Sequence, residues 1–169
     1  MKKTFKWMMM ALVAIVMSVG FAACSSDDDN NNGGGSGNGN YALSIDLSYS
    51  EDLLSLMDIT VTYTDANGQN KTEAVTSTTF KKQIVYPSKP SVIKYTVNRT
   101  RKSNVPDKDK FDITTAEKIW PVLIKNGESY IVDGNFGKTE ISTTVKKDLL
   151  DTFFEIKKLT TPLSGEYRP

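Results

Sequence analysis

Asp107, Asp109 and Asp112 are closely spaced oxygen donors, the kind of residue that holds calcium. An EF-hand loop counted from Asp107 needs glycine at 112 and glutamate at 118, but those positions hold Asp112 and Lys118. Counted from Asp65, the same two positions hold Asn70 and Thr76. Lys108 and Lys110 oppose a bound cation, so the expectation is a solvated loop. A looser surface calcium site over 107–112 is the alternative. Asp148, Asp151 and Glu155 offer the carboxylates that glycoside hydrolysis uses, and define a second possibility, a carboxylate-dependent hydrolase of envelope or dietary polymers. Carboxylates this dense near a chain end more often make a soluble face.

Nucleophilic chemistry finds less support. Ser91 and Lys94 in "SVIK" match a Ser-x-x-Lys pair, which needs a helical turn to bring the lysine beneath the serine. Their context is a strand, where positions three apart face opposite ways. Around Ser129, "GESYI" lacks the second glycine of a nucleophile elbow. Histidine is absent altogether, which excludes Ser-His-Asp and Cys-His arrangements and any His-based zinc site. The single cysteine excludes an intramolecular disulfide, so packing and hydrogen bonds must hold the fold. No catalytic residue, cofactor or metal is expected.

Charge is distributed unevenly. The net charge is +1, but Lys2, Lys3 and Lys6 precede an apolar run, and the remaining 18 basic residues face 20 acidic ones. No nucleic-acid partner is expected from that balance. Residues 41–80 carry Lys71 against six acids, whereas residues 81–118 carry ten basic residues against four acidic. If these halves fold apart, Lys81, Lys82, Lys89, Lys94, Arg99, Arg101 and Lys102 form a basic region suited to an acidic glycan or to the acidic half of a neighbouring envelope protein. Folding that interleaves the strands cancels it.

The elements that would position these residues are strands. Tyr41, Leu43, Ile45, Leu47 and Tyr49 alternate with small or polar residues, and Ile59, Val61 and Tyr63 repeat the pattern, each set facing one side of a strand. Asn67-Gly68 supplies the positive φ angles of a tight hairpin. Further alternation runs through 80–86 and 93–97 around the "YPSKP" turn. Beyond it, 122–124 and 130–132 flank "KNGES", and "DGNFG" precedes Ile141, Thr143 and Val145. "TTAE", 114–117, fits a capping box, with Pro121 allowing only about a turn of helix. The stretch 145–159 fits either period. "TFFEI" is rich in strand formers, so a final strand over about 152–159 is expected. Together these turns and strands predict an all-β fold, an antiparallel β-sandwich of immunoglobulin-like or transthyretin-like kind with about 7–9 strands.

The chain's beginning has another character. Residues 1–23 combine Lys2, Lys3 and Lys6 with a charge-free run from Trp7 to Ala23 and small residues before Cys24, the layout of a cleaved export signal. "FAAC" resembles the lipobox of bacterial lipoproteins, with Phe21 where leucine is usual. The resemblance implies that Cys24 becomes the first mature residue and carries a diacylglyceryl group, an anchor of several acyl chains such as palmitate. Ser25 to Asn40 contain no aliphatic or aromatic side chain and read as a flexible tether, with an end-to-end distance of about 20–24 Å. Asp27, Asp28 and Asp29 resemble the surface-export signal of Bacteroidota lipoproteins, implying an outer-membrane protein facing the cell surface; display on the periplasmic face is the alternative. The expected organisation is 1–23 signal, 24–40 lipidated cysteine and linker, and 41–169 one β-sandwich domain. The expected function is a membrane-anchored, non-enzymatic binding or assembly module, such as a glycan-binding accessory or an adhesin or fimbrial component. A glycan binder of this kind should show Trp120 and several tyrosines on an exposed flat face.

Overall fold

The computed structural model describes residues 40–133 and 136–169. The chain divides into two units, Met1–Gly35 and Ser36–Pro169, and every described residue belongs to the second. The readings placed on the signal, Cys24 and the linker up to residue 39 lie outside the described residues.

Among the described residues nine strands and two short α-helices follow one another as β1 (Asn40–Tyr49), α1 (Glu51–Leu56), β2 (Met57–Thr64), β3 (Asn70–Val75), β4 (Thr79–Val85), β5 (Ile93–Arg101), β6 (Lys110–Lys125), β7 (Glu128–Ile131), β8 (Gly137–Lys146), α2 (Leu150–Ile156) and β9 (Leu163–Tyr167). Two antiparallel sheets result. The first runs β4-β1-β6-β7, with β8 also pairing β6, and the second runs β3-β2-β5-β9. The fold is an all-β sandwich, as the alternating pattern predicts.

The period of two puts Leu43, Ile45 and Leu47 of β1 and Ile113 and Ile119 of β6 against Ile59, Val61 and Tyr63 of β2 and Tyr95 and Val97 of β5. Among the described residues the main core cluster runs from Leu43 to Leu159, within the unit that begins at Ser36. Between the sheets the chain crosses through α1, which Ser50 caps: its hydroxyl accepts hydrogen bonds from the amides of Leu53 at 3.2 Å and Thr114 at 3.0 Å. Glu51 and Asp52 in the first turn complement the helix dipole, and Leu53 and Leu56 enter the core.

The two hairpins differ. At 65–69 only Gly68 takes a positive φ (78°), correcting the expectation of two such residues. The Asp65 carboxylate does the remaining work by accepting from the amides of Asn67 and Gln69. The tight two-residue turn is the one at Asn126 (φ 55°) and Gly127 (φ 79°), between the paired Lys125 and Glu128.

Two segments depart from expectation. The "TTAE" stretch is not helical but lies within the 16-residue β6, where Thr115 and Glu117 continue the inward series of Phe111 and Ile113. Pro121 is tolerated there because its carbonyl accepts from Val132 at 3.1 Å, so its missing donor faces that same side. On that side the pairing jumps from Val122↔Ile131 to Ile119↔Gly137, leaving a bulge where no ladder donor is required. The second departure is the expected strand over 152–159, which is instead α2 after a 3-10 turn at Lys147–Leu149. Leu150 and Phe154, four apart, are the buried pair, while Ile156 stands 70% exposed. Burial of i and i+4 together is a helical arrangement, and here it prevails over the strand propensity of the segment.

Candidate interaction surface

The fold disperses the expected basic region. Lys81 pairs with Asp46 at 3.1 Å, Lys82 with Glu73 at 2.6 Å and Lys102 with Asp58 at 3.5 Å, so acidic strands of 41–80 lie beside the cations of 81–118. Lys94 pairs with Glu166 at 3.0 Å, and Arg101 pairs with Asp151. Lys89 is exposed in the loop between β4 and β5. These cations are spread over both sheets because β4 adds to β1 and β5 adds to β2, which interleaves the two charged segments.

Arg99 departs furthest from a surface role. Its guanidinium lies between the sheets, pairs with Glu117 through Nη2 and donates from Nε to Glu117 Oε1 at 3.0 Å. Tyr49 donates its hydroxyl to the same carboxylate oxygen at 2.6 Å, and Arg99 Nη1 donates to the Thr161 carbonyl at 2.9 Å. Burial, followed by the Glu117 charge, pushes the Tyr49 hydroxyl far above the usual tyrosine range. The network thus joins β1, β5, β6 and the segment before β9. With its members enclosed and satisfied by one another, it is a fastening between sheets. Charge alone carries no signal of it; Glu117 at an inward position of a strand is the available clue.

The other candidates stand apart. Asp107 pairs with Lys147 at 3.1 Å, Asp112 accepts from the Thr144 hydroxyl at 2.7 Å, and Asp109 offers its carbonyl to the Lys147 amide at 2.9 Å. Among the described residues no group of three acidic, His or Cys side chains could hold a metal ion. Asp148, Asp151 and Glu155 are exposed around the short helical segment. A shallow depression over β5 and β9 is lined by Lys94, Tyr95, Thr96, Ser164, Gly165 and Glu166, and Glu166 is its one carboxylate.

Among the described residues, aromatic side chains do not form the flat face a glycan platform would need. Tyr49, Tyr63, Tyr86 and Tyr95 are buried, Tyr41 and Tyr167 pack against the core, and Tyr130 is the one exposed tyrosine. Trp120 is half-buried.

No family model matches the chain, and a comparison with curated proteins finds no match.

Exposed apolar side chains concentrate at two places. Leu149 (51% exposed) and Ile156 (70%), seven residues apart, form a short apolar stripe on one side of the helical segment beside Phe153, which is half-buried against the core and the Phe154 ring, while Leu150 and Phe154 turn inward. This segment follows Lys146, the partner of Lys110, whereas Asn40 pairs with Ile124 at the other end of β6. The stripe therefore stands at the end of the domain remote from the point where the N-terminal chain enters. The second concentration, around Val85 and Ile131, lies at the entry end.

Proposed function

We propose that this protein is a membrane-anchored, surface-displayed lipoprotein of the Bacteroidota type whose domain is a binding or assembly module without chemistry of its own. The anchor would be the lipidated Cys24, on its resemblance to a lipobox cysteine, with Ser25–Asn40 as tether. The observation that carries the binding role is the apolar stripe of Leu149 and Ile156, exposed beside the half-buried Phe153 at the end remote from Asn40. A domain held by its entry end presents that stripe outward, to a partner in the medium or the envelope. Its apolar character favours a protein partner over an acidic glycan, whose cationic counterpart is consumed by ion pairs within the fold.

The test uses cells that express the full chain and are fed labelled palmitate. Label should enter the protein and be lost in Cys24→Ser, and protease added to intact cells should remove the domain. A photo-crosslinking residue at 149 or 156 should give covalent adducts that the same residue at the exposed Ser142 does not. Unlabelled wild-type protein would overturn the anchor, and equal crosslinking at all three positions would overturn the binding role.

A further inference from the structure

The border strands of a sheet carry unpaired backbone groups that another strand can meet. Among the described residues β8 pairs with β6 on one side and has no strand on the other. At 10 residues it is the longest border strand, against 6 for β3, 7 for β4, 4 for β7 and 5 for β9. It contains no proline to interrupt a ladder. Ser142, Thr143 and Thr144 are all exposed, and successive side chains of a strand face opposite ways, so the middle of β8 is open on both faces.

The charges of β8 also differ from those of the other borders. Lys71 and Glu73 of β3 pair with each other at 3.0 Å, Lys81 and Lys82 of β4 pair with Asp46 and Glu73, and Glu166 of β9 pairs with Lys94. On β8, Lys138, Glu140 and Lys146 are exposed and have no ion-pair partner among the described residues. Their neighbours across the ladder make this worse. Lys138 stands opposite Lys118 and Lys146 opposite Lys110, like charge beside like, while Glu140 stands opposite Ala116.

We propose that β8 pairs antiparallel with β8 of a second copy of this chain, about a two-fold axis through Thr143. That register sets Glu140 of each copy opposite Lys146 of the other, Ile141 opposite Val145, and Ser142 opposite Thr144. Each Lys146 then has Lys110 on one side and a carboxylate on the other, so the pairing offsets a repulsion that the single chain leaves standing. Other registers lack this match. Centring the axis on Ser142 puts Lys138 against Lys146 of the second copy, centring it on Glu140 puts that residue against itself, and centring it on Ile141 pairs no charges. The charges therefore refuse most strands and admit one, and the contact uses the same patch on both copies, as a two-fold dimer requires. The first sheets of the two copies become one continuous sheet. This dimer does not depend on the anchored reading.

The test uses the full chain expressed in cells with a photo-crosslinking residue at position 143. Illumination should give an adduct of twice the chain's mass, and the same residue at the exposed Ala74 on β3 should not. Glu140→Lys alone, which sets lysine against Lys146, and Lys146→Glu alone, which sets Glu140 against glutamate, should each lower the adduct about tenfold. Both changes in one chain should restore it. So should co-expression of the two single variants, because a mixed dimer again opposes unlike charges, and this recovery cannot come from chains that have failed to fold. No double-mass adduct at 143, an equal one at 74, or a yield that ignores the charge changes would overturn the proposal. Adducts at Ser142, beside Thr144 of the second copy, likewise carry twice the chain's mass, which tells them apart from those that positions 149 and 156 form with another partner. Failure here leaves palmitate labelling at Cys24 and those adducts unaffected.

Discussion

Arg99 on β5 and Glu117 on β6 form an ion pair between the two sheets, their side chains 3% and 0% exposed. Neither charge reaches water, so each depends on the other and on the Tyr49 hydroxyl and Thr161 carbonyl around them. Glu117→Gln leaves the guanidinium buried without its counter-charge. It should cost about 3–5 kcal/mol, read as a lower urea midpoint. Replacing both residues with apolar ones of similar volume, Arg99→Met with Glu117→Leu, should recover most of that loss, because no charge then remains to be desolvated. A double variant no more stable than Glu117→Gln would show that the hydrogen bonds matter more than the buried charge.

Glu73 and Lys82 bridge the sheets along another border, since β3 and β4 are edge strands of different sheets. The Lys82 ammonium, then the Tyr63 hydroxyl bonded at 2.6 Å, hold the Glu73 carboxyl down to about 2. In the unfolded chain the same carboxyl titrates near 4.3. The folded value is the lower one, so the stabilisation is fully present above the unfolded value and lost as pH falls toward about 2. Thermal melts from pH 6 to pH 2 should fall less steeply below pH 5 for Glu73→Gln than for the parent. The Gln variant should already be the less stable at neutral pH. Parallel profiles would mean that Glu73 titrates alike in both states.

Tyr95 is wedged between two glycines. A Cβ at Gly137 or at Gly165 would run into its ring, and the ring is further held by its hydroxyl donating to the Phe136 carbonyl at 2.6 Å. Gly165 also pairs with Tyr95 in the β5-β9 ladder, so the strand cannot move away without losing that pairing. Gly165→Ala should destabilise by about 1–3 kcal/mol through overpacking, and chemical denaturation would measure it. Tyr95→Leu, which shortens the side chain, should make Gly165→Ala nearly neutral in its background. An equal cost in both backgrounds would locate the strain elsewhere.

The strands were legible where one face is buried and the other wet. In β1 and β2 the alternation of Leu43, Ile45 and Leu47, and of Ile59, Val61 and Tyr63, reports burial directly, because side chains of a strand alternate by geometry. Turn chemistry was legible in position but not in detail. Asn67-Gly68 and Asn126-Gly127 each mark a hairpin, yet only Asn126-Gly127 forms the two-residue turn, since Asp65 recruits the other into a longer loop. Where local preferences compete, the sequence misleads. "TFFEI" has strand-forming side chains, but its helical period lets Leu150 and Phe154 close the core together.

By itself, then, the sequence determined the class of the fold, the number of strands to expect, the absence of histidine chemistry and the abrupt change of character before Tyr41. These are properties of composition and short-range order. Only tertiary structure decided that Arg99 is internal, that Lys81 and Lys82 lie against Asp46 and Glu73, and that Val85, Ala42, Val122 and Ile131 make one row. The reason is register: pairing between strands distant in sequence chooses each residue's neighbours, and no local pattern of charge or hydrophobicity encodes that choice.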